Sequence, residues 1–265
     1  MTAELATLIT YNPFSFTGDL PLAQVWTTML QMGLDAVPVR DDSQNVAGIA
    51  SHRQLCNRAN DLGVAETVTL AACLTSTQHR EANISPGEIL DLLLTHDLPI
   101  LPIVESERLV GVISRLDFLR ELSFHELPSS GKLAVDTLHK IEDWHETDLD
   151  CDEAIAEQER SVNGVLCVGQ GDMLIGVVSP KALNRAWSCW HFKRLMRRDP
   201  PADEPTSISK LARMAPTASP GASLGDIATI MLEENVDAVT VGNATRRVLG
   251  YVTALDLLQL IRNDI

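Results

Sequence analysis

The sequence predicts an α+β fold built from four copies of one helix–strand–strand–helix unit. Four times a hydrophobic run ends in a glycine, two apolar residues and a Ser or Thr, and a helix-like segment follows. The copies are Gly48-Ile49-Ala50-Ser51, Gly111-Val112-Ile113-Ser114, Gly176-Val177-Val178-Ser179 and Gly250-Tyr251-Val252-Thr253. Their glycines are 63, 65 and 74 residues apart (111−48, 176−111 and 250−176), which is the length of a supersecondary unit. Self-similarity at such a period indicates an internal repeat.

Each copy contains the same elements in the same order. The period of the apolar residues changes from helical to alternating within each copy. The predicted helices cover residues 22–32, 89–94, 153–159 and 224–232. The first strands cover residues 36–39, 98–104, 164–168 and 238–241. Polar turns follow at residues 40–45, 105–108, 169–172 and 242–247. Because one unit cannot bury both faces of its small sheet, the units are expected to pair.

This repeat resembles the CBS (cystathionine-beta-synthase) domain, and two such units in tandem resemble a Bateman module. The family signature G-h-h-[ST]-x-x-D, where h is apolar, is complete in the second copy with Ser114 and Asp117, and in the fourth with Thr253 and Asp256. The first copy carries Gln54 and the third Ala182 in place of the Asp.

The resemblance implies four CBS units paired into two Bateman modules. The first pair would occupy residues 1–128, with units of about 1–62 and 63–128. The second would occupy residues 129–265, with units of about 129–198 and 207–265 and a linker at about 199–206. Such modules commonly assemble into a flat disc, which two modules of one chain or two chains would form.

The Ser/Thr-x-x-Asp pattern has two interpretations. The first is a capping box, in which the hydroxyl accepts a helical N–H and the carboxylate reaches back to the cap. The second follows from the resemblance: in the family this Asp holds the ribose hydroxyls of an adenine nucleotide. A carboxylate suits that role because it accepts two neighbouring O–H donors, while the helix N-terminus offers N–H groups to a phosphate. One such site per module is expected, at Ser114 and Asp117 and at Thr253 and Asp256.

By the same resemblance, an apolar slot for the adenine would be lined by Val112 and Tyr251, near Leu34 and Val162 of the partner units. Ordinary core packing is the alternative interpretation. Tyr251 is the less routine case, since its ring would stack on a base while its hydroxyl stays in water.

Phosphate recognition decides which nucleotide is expected. Many nucleotide-binding members of the family place His or Arg before the central strand, but the corresponding positions here are Asp35, His96-Asp97, Asn163 and Asp237. Acidic groups repel a polyphosphate. Arg115 is the nearest basic residue, with His52, Arg53, Lys181, Arg246 and Arg247 as more distant ones. AMP is therefore preferred, with ADP, ATP and S-adenosylmethionine as further candidates.

Composition restricts the partners. The formal net charge of −15 over 265 residues argues against nucleic acid or an anionic membrane as the main partner. Five cysteines without a CxxC pair fit reduced thiols in the cytoplasm. No apolar run reaches spanning length, and the N-terminus does not resemble a signal peptide. A cytoplasmic protein is predicted.

No catalytic motif is present, and the histidines lack a metal-binding spacing, so neither an enzyme nor a metal site is predicted. Residues 121–147 are expected to lie outside the repeat core and to join the two pairs, and the segment Leu127-Pro128-Ser129-Ser130-Gly131 within them is interpreted as a linker. The amphipathic pattern of residues 182–198 predicts a helix that ends in basic residues. Its apolar face would consist of Leu183, Ala186, Trp187 and Trp190. That face and its basic end are either a packed connection or a contact surface for an acidic partner.

The function that this pattern favours is regulatory: the chain would bind an adenosine-type nucleotide between paired units and alter its own geometry or a partner's activity. The alternatives are a ligand-free assembly module, in which Asp117 and Asp256 are only caps, and an accessory subunit of another protein. A homodimer through the modules is compatible with each.

Overall fold

The structure is a computed structural model that describes residues 5–62, 68–74, 79–96, 98–124, 127–146, 149–171, 173–196, 207–243 and 248–264. These residues fall into two compact units. The N-terminal unit comprises the described residues of 2–117 and 188–204, and the C-terminal unit those of 118–187 and 205–265. Among the described helices, none combines the length and the apolar character needed to cross a membrane.

The first two repeats contain six helices and seven strands among the described residues. In chain order these are α1 (Leu5–Leu8), β1 (Thr10–Tyr11), β2 (Phe16–Thr17), α2 (Leu22–Met32), β3 (Ala36–Arg40), β4 (Val46–Ser51), α3 (His52–Leu62), α4 (Leu70–Cys73), β5 (Arg80–Glu81), α5 (Pro86–Thr95), β6 (Ile100–Glu105), β7 (Arg108–Ser114) and α6 (Arg115–Phe124).

The last two repeats follow the same order. They consist of α7 (Ala134–Thr137), β8 (His139–Lys140), β9 (His145–Glu146), α8 (Cys151–Arg160), a 3₁₀ turn (Val162–Gly164), β10 (Leu166–Gln170), β11 (Met173–Val178), α9 (Pro180–Met196), α10 (Ile208–Met214), β12 (Thr217–Ala218), α11 (Leu224–Glu233), β13 (Ala238–Gly242), β14 (Val248–Thr253) and α12 (Ala254–Asp264). The boundary between the two units falls within α6, after Asp117, and within α9, after Trp187.

The predicted fold class is confirmed. Each repeat has a helix, an antiparallel pair of strands and a second helix, and the strand pairs are β3–β4, β6–β7, β10–β11 and β13–β14. Each repeat also has a two-residue strand that pairs in parallel with the first long strand, as β2 does with β3 and β9 with β10. These short strands were not predicted, because two residues show no periodicity.

Two further short strands cross from one repeat to the next. Strand β1 of the first repeat pairs antiparallel with β7 of the second, and β8 of the third repeat pairs antiparallel with β14 of the fourth. The sheets therefore have the orders β1-β7-β6-β5, β2-β3-β4, β11-β10-β9 and β12-β13-β14-β8. The expected pairing of units is thus built into two of the sheets.

The repeated glycine lets these crossing strands approach. A Cβ on Gly111 would overlap the side chain of Ile9, which precedes β1, and a Cβ on Gly250 would overlap the carbonyl oxygen of His139 in β8. Among the described residues no strand crosses at Gly176, but a Cβ there would overlap the carbonyl oxygen of Ala212 in α10. Glycine is therefore required by a close backbone carbonyl at Gly176 and Gly250, and by a close side chain at Gly111.

The expectation that residues 121–147 lie outside the repeat core is wrong where the structure describes their fold. Helix α7 and strands β8 and β9 lie in this segment. Ser129 is buried, and its N–H donates to Asp264 Oδ2 at 2.9 Å. The Pro and Gly here form a tight turn that leads into the third repeat. The proposed linker at 199–206 lies outside the described residues.

Helix α9 packs as the amphipathic pattern predicted. Leu183, Ala186 and Trp187 are buried, and Trp187 Nε1 donates to Asp152 Oδ1 at 3.1 Å within the C-terminal unit. This end of the helix is therefore a packed connection. The basic side chains at its other end lie outside the described part of the chain.

Candidate functional site

In every copy the Ser or Thr of the motif lies at the start of a helix. In three copies its hydroxyl accepts the hydrogen bond that the predicted cap requires. Ser51 Oγ accepts from Gln54 N at 3.4 Å and Ser179 Oγ from Ala182 N at 3.2 Å. Thr253 Oγ1 accepts from Asp256 N at 3.3 Å. The strand thus passes into the helix without leaving all of its first N–H groups unpaired.

The two motif carboxylates complete these caps. Asp117 Oδ2 accepts from the N–H and the hydroxyl of Ser114, both at 2.7 Å. Asp256 Oδ2 accepts from Thr253 N at 2.8 Å and from Thr253 Oγ1 at 2.7 Å. The capping interpretation is therefore confirmed in full for Thr253 and Asp256, and in its carboxylate half for Ser114 and Asp117. Each carboxylate uses its Oδ2 for the cap.

The N-terminal site consists of Val112, Ser114, Arg115 and Asp117. Strand β7 supplies the first two, and the first turn of α6 supplies the others. Val112 is half-buried and lies opposite Thr10 of β1, whose side chain is exposed. Asp117 is buried, at 7% exposure. Arg115 turns towards its own repeat, since its Nη2 donates to the carbonyl of Leu93 in α5 at 3.2 Å.

The C-terminal site consists of Tyr251, Thr253 and Asp256, and a histidine occupies it. His139 Nε2 lies 2.8 Å from Asp256 Oδ1, the oxygen that the cap does not use. The imidazole stacks on the ring of Tyr251, with 5.1 Å between centroids and 23° between planes. Sequence reasoning missed His139, because 117 residues separate it from Asp256.

Asn163 also contacts this histidine. Its Nδ2 lies 3.0 Å from the same His139 Nε2. An ionised carboxylate only accepts hydrogen bonds, so Nε2 must carry a hydrogen when it bonds to Asp256, and it then cannot accept from Asn163 Nδ2. The imidazole tautomer therefore selects between Asp256 and Asn163. Asn163 is held at φ 58°, next to Gly164 at φ 67°, in the 3₁₀ turn before β10.

Tyr251 lies deeper than expected. It is 6% exposed and packs with Val165, Val177 and Ala238. Burial raises its pKa to about 12, and the nearby Cys167 and Asp256 act in the same direction. The expectation that its hydroxyl stays in water is therefore wrong. Its ring nevertheless stacks on a planar group, as anticipated, but that group is His139.

The N-terminus of α9 already holds a carboxyl group of the protein. Asp237 Oδ2, from the fourth repeat, accepts from Lys181 N at 3.1 Å. Burial raises the pKa of this carboxyl, while hydrogen bonds from Ser179 and Lys181 oppose the rise. Lys181 Nζ donates to Asn235 at 2.7 Å. This arrangement accounts for Ala182 in the third copy, since the cap comes from the neighbouring repeat.

The first copy also has its motif groups engaged. Gln54 Nε2 donates to the carbonyl of Cys73 at 3.3 Å. His52 is buried, with its Nδ1 2.9 Å from Ser188 Oγ. His52 is therefore not exposed to a phosphate, whereas Arg246 and Arg247 lie outside the described residues. In the part of the chain that the structure describes, no three His, Cys, Asp or Glu residues form a metal-binding group.

Paired repeats with a carboxylate at the strand-to-helix junction of every second copy define a class of tandem-repeat protein. The chain belongs to the CBS domain family, whose model matches residues 5–61, 81–124 and 192–263. Most of the third repeat falls outside these matches, although its fold repeats that of the others.

Two curated relatives match part of the chain. Both are Hypoxic response protein 1 of Mycobacterium tuberculosis, from two strains, and each is 25% identical over 101 residues. The match covers 37% of this chain and 71% of the relative.

Two solved structures match over nearly the whole chain. One, from Methanocaldococcus jannaschii, is described as a proposed archaeal homolog of g-AMPK; it has a TM-score of 0.74 and 17% identity, and the match covers 97% of this chain and 99% of that one. The other is an uncharacterized conserved protein from Pyrococcus horikoshii, with a TM-score of 0.60, 16% identity and coverage of 96% and 98%. At these identities the likeness concerns the fold.

Proposed function

We propose that this protein is a regulatory sensor that binds an adenosine-type nucleotide at the N-terminal and C-terminal sites. AMP is the first candidate, and ADP, ATP and S-adenosylmethionine are the others. CBS-domain proteins of this kind are generally regulatory rather than catalytic. The proposal includes no catalytic step and no metal, and it places the protein in the cytoplasm.

The observation that carries the proposal is the position of the two carboxylates. Asp117 and Asp256 are the only Asp residues in the four motif copies, and each lies at the N-terminus of a helix in the second repeat of its pair. Each gives one oxygen to the cap, and the Asp256 oxygen that the cap does not use meets a hydrogen-bond donor, His139 Nε2. A ribose diol is a suitable partner, since a carboxylate accepts its O–H donors.

Charge favours a nucleotide with few phosphates. Arg115 is the basic residue at the N-terminal site, and one of its guanidinium nitrogens already donates to Leu93. Lys181, in the C-terminal unit, donates to Asn235. A site with so little positive charge stabilises a monophosphate or a neutral nucleoside better than a triphosphate.

The test is a pair of isosteric substitutions, Asp117→Asn and Asp256→Asn. The amide oxygen keeps part of the cap, so we expect a stability loss of about 1 kcal/mol or less. Binding of AMP at the substituted site should weaken at least tenfold, which corresponds to about 1.4 kcal/mol. Isothermal titration calorimetry measures the affinity, and a thermal melt of each variant checks its fold. Unchanged affinity in both variants would contradict the proposal.

A ligand-free assembly module is the second candidate, and the caps favour it. Asp117 and Asp256 already have the hydrogen-bond partners that a purely structural role requires. On this account the Asn variants lose stability and no nucleotide raises the melting temperature of the wild type. Sedimentation would then show whether the chain forms the homodimer that such a role implies.

A regulated protein partner belongs to the same proposal. A sensor without catalysis must act through its own geometry or through another protein, because a ligand transmits a signal only by favouring one of two states. Co-purification of the tagged chain with and without AMP tests this step. A partner that associates differently in the two conditions is expected, and recovery of the chain alone in both would contradict it.

A further inference from the structure

One position is structurally equivalent in the two units but holds different residues, Thr10 in the N-terminal unit and His139 in the C-terminal unit. Strand β1 pairs with β7 so that Thr10 lies opposite Val112, and β8 pairs with β14 so that His139 lies opposite Tyr251. Directly opposed residues of an antiparallel pair project from the same face of the sheet. Thr10 and His139 therefore face the corresponding parts of the N-terminal and C-terminal sites.

Thr10 and His139 differ in how far they cover the residue opposite them. The Thr10 side chain is exposed, and Val112 opposite it is half-buried. His139 instead covers Tyr251, which is 6% exposed, and its Nε2 contacts Asp256 Oδ1. A planar nitrogen heterocycle thus stacks on the aromatic ring and donates to the carboxylate at the C-terminal site.

Those are the interactions that the proposed function requires of an adenosine ligand. The base would stack on Tyr251, and a ribose hydroxyl would donate to the Asp256 oxygen that the cap does not use. We propose that His139 is a built-in occupant of the C-terminal site, which an adenosine ligand must displace. The inference rests on the proposed function and concerns its regulation: the N-terminal site, where the crossing strand places Thr10 and no ring opposite Val112, fills first.

Asn163 gives the histidine a second partner close to Asp256. Its Nδ2 lies 3.0 Å from His139 Nε2, so the imidazole can exchange one hydrogen bond for the other through a change of tautomer. The occupant therefore has an alternative hydrogen-bond partner in each repeat of the C-terminal unit, Asn163 in the third and Asp256 in the fourth. Its departure would release a contact between the third and fourth repeats, which gives ligand binding at this site a structural consequence.

The test exchanges the two residues in the full chain. His139→Thr places the N-terminal residue in the C-terminal site, where Thr suits a short edge strand. With adenosine and AMP as probes in isothermal titration calorimetry, the wild type should bind one molecule tightly per chain, and Asp117→Asn should weaken that step. His139→Thr should add a second tight site, at least tenfold stronger than in the wild type, and Asp256→Asn in that background should remove it.

Two further variants separate occupation of the site from other effects. Thr10→His should weaken the N-terminal site at least tenfold, because it introduces the occupant there. His139→Phe keeps a ring on Tyr251 without the hydrogen bond to Asp256, so it should add no second site. If His139→Thr does not give a cooperative thermal melt, His139→Ala serves as the second open variant.

The outcomes distinguish this inference from the proposed function. One site in the wild type and one in folded His139→Thr and His139→Ala would overturn the inference and leave the proposed function standing. Two equal sites in the wild type would also overturn it. Absence of binding to the wild type and to every variant would overturn both.

Discussion

Asp256 shows how one side chain serves two purposes. Its Oδ2 closes the cap of α12 and its Oδ1 meets His139, so the carboxylate links a helix terminus to a strand of the preceding repeat. Asp117 closes the cap of α6 in the same way. Capping explains the residue type at the motif, and a binding role for the same carboxylates is the proposal made above.

The ionisation of the Tyr251 hydroxyl tests whether this side chain is buried. Burial raises its pKa to about 12, above the reference value of 10.0, so the unfolded chain loses this phenolic proton first as pH rises. The contribution of Tyr251 to stability should be complete below about pH 10 and lost as pH rises to about 12. The ultraviolet absorbance of phenolate measures the ionisation. A step near pH 12 that disappears in Tyr251→Phe is expected, and its persistence in that variant would contradict the burial described above.

Gly250 tests the close approach of β8 to β14. An added Cβ would overlap the carbonyl oxygen of His139 and the side chain of Leu138. Because backbone cannot yield as a flexible side chain does, Gly250→Ala should destabilise the protein by about 1–3 kcal/mol. The midpoint of urea unfolding measures the loss.

Gly221→Ala is the matched control, since nothing lies within 4 Å of a Cβ added there. Its midpoint should stay close to that of the wild type. Equal midpoints for the two variants would show that Gly250 is not needed for the crossing of β8.

At the scale of elements, the helices that precede the long strands begin with capping boxes in three repeats. Ser85 with Glu88, Asp150 with Glu153, and Ser223 with Asp226 each exchange side-chain and backbone hydrogen bonds. These contacts lower the pKa of Glu88 and of Asp226, through the hydrogen bonds from Ser85 and Ser223. Local sequence therefore specifies where each helix starts.

Ser223→Ala should remove one cap and leave the fold intact. The Asp226 N–H loses its acceptor at 3.0 Å, and the expected destabilisation is about 1 kcal/mol. Hydrogen exchange at the first turn of α11 should accelerate, together with a lower urea midpoint. Ser219→Ala, at an exposed position outside the helix, is the control and should change neither quantity. A similar effect in both variants would rule out a specific role for the cap.

The long elements were predictable from sequence and the short ones were not. Helices such as α2 and α11 and strands such as β3 and β13 carry enough residues for a period to be read. The two-residue strands do not, and β8 falls in a segment whose Pro and Gly favoured a loop. Its place is fixed by pairing with β14, more than a hundred residues later, which no local pattern records.

The residues of the candidate site were also predictable only in part. The motif identified Asp117 and Asp256, because their spacing from Ser114 and Thr253 is a local property of a helix start. It did not identify His139 or Asn163, because these residues reach Asp256 only through the pairing of the third and fourth repeats. The sequence thus predicted the helix termini but not the side chains of the preceding repeat that contact them.

At the scale of the whole molecule, pairs of repeats are the structural unit. In each pair a strand of the earlier repeat completes the sheet of the later one, at β1 with β7 and at β8 with β14. Both proposed sites lie beside these crossing strands. A ligand bound there would therefore act on the contact between repeats, which is the property that a regulatory module needs. The domain boundary at residues 128 and 129 stays a prediction.

The central claim is that the native protein binds an adenosine-type nucleotide. The most direct measurement is a thermal-shift series of the full chain with AMP, ADP, ATP, S-adenosylmethionine and adenosine, each at about 100 times a micromolar Kd. A ligand that binds only the folded state stabilises it by about 2.7 kcal/mol at that excess. We expect AMP or adenosine to raise the melting temperature and Asp117→Asn to abolish the rise. No shift with any of the five compounds would contradict the account.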